Sequence, residues 1–126
     1  MTLVDTSVWV RALMGKLEYQ AKLDGLLARR IAGGHELVHG ELLAGDTGGR
    51  ARLLRDYREL PWAPRLPHEQ VAAWARRHQL CGRGVGWIDL HLLAAAQQQN
   101  WPLWTADERL ADLAQELRLA YAPGNT

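Results

Sequence analysis

TLVDTSVW, residues 2–9, holds a change of periodicity within one short stretch. Residues 2–5 read as an apolar strand that ends in a carboxylate, Asp5. Thr6 or Ser7 then suits an N-cap, because a hydroxyl can accept from the free amides of a first helical turn. A helix is expected from there through about Met14. A carboxylate that closes a central strand has little structural purpose. In an open parallel sheet it lies where ligands bind, beyond the carboxyl ends of the strands.

The alternation continues outward. Leu23, Leu26, Leu27 and Ile31 recur at helical spacing, so a helix is expected from about Leu17 to Ile31, closed by Gly33 and Gly34. Residues 36–39 (ELVH) read as a second strand, 41–44 as the start of a short helix and 46–49 as a turn. A basic helix follows over 50–59, then a short proline-bounded strand over 60–63. A helix over 67–79 and a glycine-rich loop over 81–86 lead into a long apolar helix over 87–99. A strand over 102–105, a helix over 107–117 and a last strand over 119–122 complete the pattern. Strands alternating with helices predict an α/β fold, a parallel β-sheet flanked by helices on both faces. No repeat or linker divides residues 1–126, which read as a single domain long enough for its own core.

Bulk properties narrow the function. Hydrophobic residues make up 48% and charged residues 23%, the balance of a folded soluble protein. Cys81 is the sole cysteine, which excludes an intramolecular disulfide, and its CGRGVG setting offers no base for nucleophilic catalysis. No signal peptide and no 18-residue apolar run is visible, so the expectation is a cytoplasmic protein with no membrane span. The net charge of +1 is unevenly spread. Residues 1–83 hold 13 Lys and Arg against 9 Asp and Glu, while residues 84–126 hold 2 against 5. Arg50, Arg52, Arg55 and Arg58 form a run that could track a phosphate backbone or simply solvate a helix face.

Four acids carry the chemistry. Asp5 closes the first strand, Glu41 follows the expected second strand by two residues, and Asp107 follows the 102–105 strand by two. Asp89 lies one turn into WIDLHLLAAA, a helix with almost no polar face, which should be largely buried. A buried carboxylate needs a partner, and neither Leu92 nor Leu93 supplies one. His91 points about 200° away around the helix. Asp89 can instead be an acid near a helix N-terminus, stabilised by the dipole. In the last helix Leu110, Leu113, Ala114 and Leu117 form the apolar stripe. Asp107 sits at its edge, whereas Glu108 faces outward and pairs with Thr105 as an expected capping box. Asp107 alone fits a ligand and a first-turn acid equally, and Glu41 could simply open a helix. Clustered carboxylates repel unless a divalent cation neutralises them. Hard oxygen donors without a Cys/His cluster point to Mg²⁺ or Mn²⁺, which could polarise a phosphodiester and activate water.

These residues resemble a known family. VDTSVW from Val4, HGELLAG from His39, VGWIDLHLLAAA from Val85 and WTADERLADLA from Trp104 resemble, in order, the motifs of PIN-domain ribonucleases. They are most similar to the VapC toxins of bacterial and archaeal toxin–antitoxin pairs. The resemblance implies a PIN-like three-layer fold and an acidic Mg²⁺ or Mn²⁺ site. It also implies endonucleolytic cleavage of RNA, homodimers and inhibition by a cognate VapB-type antitoxin. Its four acids fall on Asp5, Glu41, Asp89 and Asp107, with Asp5, Asp89 and Asp107 as metal ligands and Thr6 or Ser7 as the hydroxyl beside the first. Residues between about Gly45 and Arg83 match no motif, so substrate specificity is not implied.

Alternatives are a PIN-domain nuclease of RNA maturation and a non-catalytic RNA-binding module. Aspartic proteases share the DTS triplet but need paired copies in β-rich domains. Haloacid-dehalogenase-type phosphohydrolases need a second Asp where Ser7 stands. The six tryptophans read mainly as core, with Trp9 and Trp87, beside the acids in sequence, as the candidates to stack on bases. His35, His39, His68, His78 and His91 show no metal-ligand spacing.

Overall fold

The computed structural model describes residues 1–122. In chain order the elements are β1 (Thr2–Val4), α1 (Thr6–Leu13), α2 (Leu17–Ala28), β2 (Ala32–Gly33), α3 (Glu36–Ala44), α4 (Ala51–Tyr57), α5 (His68–Arg77), α6 (Trp87–Gln99), β3 (Leu103–Trp104) and α7 (Glu108–Glu116). The strands form a parallel sheet in the order β2-β1-β3. Thr2 pairs with Ala32 and Leu3 with Gly33 on one side, and Leu3 with Leu103 and Val4 with Trp104 on the other. Successive strand residues point to opposite faces. Leu3 and Val4 are both fully buried, so helices cover the sheet on both faces.

Two expected strands shrink to single parallel bridges at the sheet edges. Residues 60–63 contribute only Gly34 to Trp62, and residues 119–122 only Leu103 to Ala120. The larger correction concerns residues 36–39, which are not a strand but the first turn of α3. His35 is the reason. Its Nδ1 accepts from the Leu37 amide at 3.0 Å and so caps the helix. Its backbone is held by Tyr57, whose hydroxyl accepts from the His35 amide at 2.9 Å and donates to its carbonyl at 3.3 Å. Burial, reinforced by nearby His91 and Arg65, pushes the His35 imidazole down to about 4, which keeps Nδ1 unprotonated and able to cap.

The real second strand is AG, residues 32–33, where a helix stop was expected. Helix α2 ends earlier, at Ala28, and Arg30 takes the left-handed turn with φ 59°. That conformation costs a non-glycine residue about 1 kcal/mol. Gly33 and Gly34 serve close approach instead. A Cβ on Gly33 would lie 2.5 Å from Trp101 Cζ3, and one on Gly34 2.7 Å from Trp62 Cδ1. Helix α6 matches its expected bounds, and Leu90 to Ala96 are all buried in it. It packs on α5 and β3, while α1 packs on α2 and α3. No helix among the described residues is long and apolar enough to cross a membrane.

Candidate active site

The site gathers beyond the carboxyl ends of β1 and β3. Each strand is followed within three residues by an acid that caps the next helix. Asp5, not Thr6 or Ser7, is the N-cap of α1, with Oδ1 accepting from the Thr6 amide at 2.8 Å. Asp107, not Thr105, caps α7, with Oδ1 accepting from the amides of Arg109 at 2.9 Å and Leu110 at 3.2 Å. The expected Thr105–Glu108 capping box is therefore absent. A carboxylate outcompetes a neighbouring hydroxyl for free amides because its bonds to them are charge-assisted.

That substitution frees three hydroxyls, and all three turn to the acids. Ser7 Oγ donates to Asp5 Oδ2 at 2.7 Å and accepts from the Ala106 amide at 2.9 Å. Thr105 Oγ1 donates to the same Asp5 oxygen at 2.8 Å and accepts from the Asp107 amide at 3.0 Å. With both protons committed to Asp5, the 3.2 Å approach of Ser7 Oγ to Thr105 Oγ1 is a contact without a shared proton. Thr6 Oγ1 donates to Glu41 Oε1 at 2.6 Å. Asp5, only 5% exposed, thus receives three hydrogen bonds. Oδ2 is saturated by two hydroxyls, and the remaining acceptor capacity is on Oδ1.

Glu41 reaches the site by a different route from the one its spacing suggested. It stands in the second turn of α3, not just past a strand, and is half-buried. Asp89 is the third residue of α6 and half-buried, and among the described residues its carboxyl accepts only from the Gly86 amide, through Oδ2 at 3.2 Å. Burial pushes its carboxyl up to about 6. The Gly86 bond opposes this, and the charges of Asp5, Asp107 and Glu41 add to it. One titrating group thus feels all of the other three acids. Glu108 is exposed and has no bond to the cluster.

Among the described residues, no salt bridge reaches any of the four acids, the pairs present being Arg52–Asp56, Arg55–Asp56, Arg65–Glu36 and Arg83–Glu116. Nor do any three Asp, Glu, His or Cys side chains among these residues stand close enough to enclose one ion. The acids form a shared anionic field with all-oxygen donors and, among the described residues, no salt-bridged cation. A hard divalent ion fits that donor chemistry.

Thr105 is the site residue that the sequence reading missed. Its signal was present: TAD sets a hydroxyl two residues before an acid, while DTS sets one two residues after. The basic run is divided. Arg50 Nη1 donates to the Leu42 carbonyl at 2.9 Å, bracing α3. The Arg52 and Arg55 side chains are 87% and 71% exposed and share Asp56.

Comparison with known proteins assigns the family. The family model described as PIN domain matches residues 2–116. Ribonuclease VapC32, from two strains of Mycobacterium tuberculosis, is 37% identical over 123 residues, covering 97% of each chain. Among solved structures, PAE2754 from Pyrobaculum aerophilum superposes with a TM-score of 0.59 at 18% identity, covering 93% of this chain and 94% of that one, a likeness of fold. The chain belongs to the PIN-domain family and groups with its VapC-type members.

Proposed function

We propose that this chain, acting as one nuclease domain, is a Mg²⁺- or Mn²⁺-dependent endoribonuclease, the toxin of a VapBC-type pair. The observation that carries the reading is Asp89, a carboxyl pushed up to about 6 by burial and by three other acids, with no salt bridge to it among the described residues. A bound divalent ion would supply Lewis-acid polarisation of the phosphodiester and lower the pKa of an attacking water. Asp5, Asp89 and Asp107 are the ligands proposed for it; since no three acids among the described residues enclose an ion where the side chains now lie, binding would draw them together and leave water in the remaining positions. Glu41, oriented by Thr6, would support water from the α3 side. Ser7 and Thr105 fix the Asp5 carboxyl by bonding its Oδ2, leaving acceptor capacity on Oδ1. The exposed guanidinium groups of Arg52 and Arg55 would attract the RNA backbone, whereas Arg50 acts through the structure of α3.

The 37% identity to a protein named Ribonuclease VapC32 supports RNA as substrate and a VapB-type antitoxin as partner. A cytoplasmic homodimer is the assembly proposed. Purified protein should cleave single-stranded RNA with Mg²⁺ or Mn²⁺ and stop when EDTA is in excess. Cleavage that persists in excess chelator, in a preparation cleared of contaminating nuclease, refutes the metal-dependent reading.

A further inference from the structure

Five of the six tryptophans have evident structural work. Trp9 is buried edge-on against Tyr57, and Trp104 is buried between Tyr19 and Tyr121. Trp74 donates its indole N–H to Gln97 and Trp62 to the Tyr57 carbonyl, while Trp101 covers Gly33. Trp87 differs. It is 39% exposed, the one aromatic among the exposed large hydrophobic side chains of the described residues.

The ring is nonetheless held. His91, buried one turn along α6, meets it edge-on at 4.8 Å between centroids and 86° between planes. His68, at the start of α5, lies against it at 4.7 Å and 49°. An indole fixed by two imidazoles yet open to solvent has already lost the rotamer freedom that binding would otherwise remove. Its position gives the ligand class. Trp87 is the first residue of α6, and Asp89 folds back onto the amide of Gly86, immediately before it. A flat apolar surface therefore shares the first helical turn with an acid of the candidate site, the two projecting about 200° apart, so that a strand reaching both crosses the N-terminal end of α6.

We propose that Trp87 is a stacking platform for one nucleobase of the single-stranded RNA that the site takes. The proposal rests on the RNA-cleaving reading above. Stacking needs only a π-face, so the platform holds the strand where it passes over the N-terminal end of α6 while discriminating weakly among bases. It is a binding residue and takes no part in proton transfer.

The test is binding of a fluorescently labelled single-stranded RNA in an Asp5→Asn background with Mg²⁺, where the strand stays whole. Trp87→Ala should weaken affinity between about fivefold and a hundredfold, the range for loss of one stacked base, whereas Trp87→Phe should retain most of it. RNAs carrying one abasic position at a time should show a position that weakens the Trp87-containing protein and leaves Trp87→Ala unaffected. Equal affinity of the Ala and Phe variants with their parent overturns the platform, even with wild-type cleavage intact. If Trp87→Ala fails to fold, the abasic series on the parent decides, and insensitivity at every position overturns the platform. Absence of both RNA binding and wild-type cleavage overturns this proposal together with the reading beneath it.

Discussion

Asp5 and Asp89 occupy the same anionic field and are held in opposite ways. Asp5 is the more buried, yet three donors surround it: the Thr6 amide and the hydroxyls of Ser7 and Thr105. Asp89 has a single longer bond, from the Gly86 amide, and burial raises its carboxyl to about 6. Burial alone therefore does not decide whether a carboxylate is comfortable. The number of donors aimed at it does. The β1/β3 side of the site is built in advance, whereas the α6 side carries a charge that the fold leaves uncompensated.

The difference can be broken first at the level of rate. Asp5→Asn and Asp89→Asn should each lower RNA cleavage at least about a hundredfold while the protein stays folded, as lost metal and transition-state electrostatics require. Thr105→Val removes a donor to Asp5 and should cost roughly tenfold in cation affinity by calorimetry, the scale of an outer partner's loss. Glu108→Gln should remain near wild type. Equal losses in Glu108→Gln and Asp107→Asn would show that the first turn of α7 does not separate its two acids.

The legibility of the chain follows the same physics. Helix α6 was readable because ten nearly unbroken apolar residues permit little else, and β1 because Leu3 and Val4 lead straight to an acid. The second strand was not readable. Its side chains are almost nothing, and its packing volume comes from Trp101 and Trp62, distant in sequence. ELVH looks like a strand by alternation and becomes a helix because the buried His35 caps it. The four candidate acids were legible by type, and Asp5, Asp89 and Asp107 also by placement, whereas Glu41 was placed by a strand that is the first turn of α3. The roles of the hydroxyls were not, because caps were assigned to Thr6, Ser7 and Thr105 when Asp5 and Asp107 take them. The identity of a cap depends on competition between neighbours, which spacing does not reveal.

A smaller effect sharpens the comparison through stability. A carboxyl raised above its ordinary value favours the fold when protonated, so the stability of metal-free protein should fall as pH rises from about 4 through about 6. Asp89→Asn should abolish that fall and leave the metal-free variant more stable at pH 8 by about 1 kcal/mol, allowing for solvent screening at a half-exposed group. Asp5→Asn should instead destabilise, since it replaces a carboxyl oxygen in a group held by three donors. Urea denaturation of each metal-free variant across this pH range reads both signs. Asp89→Asn less stable than wild type at pH 8 would contradict the assignment of Asp89 as the uncompensated charge.

Carboxyl-carbon NMR titration of Asp89, with and without Mg²⁺, addresses that charge most directly. The expected result is a midpoint near 6 in metal-free protein. With saturating Mg²⁺ it should fall by more than about one unit, because a bound cation favours the ionised form. An ordinary aspartate midpoint in metal-free protein, or one that Mg²⁺ leaves in place, would contradict a site whose last acid waits for its metal.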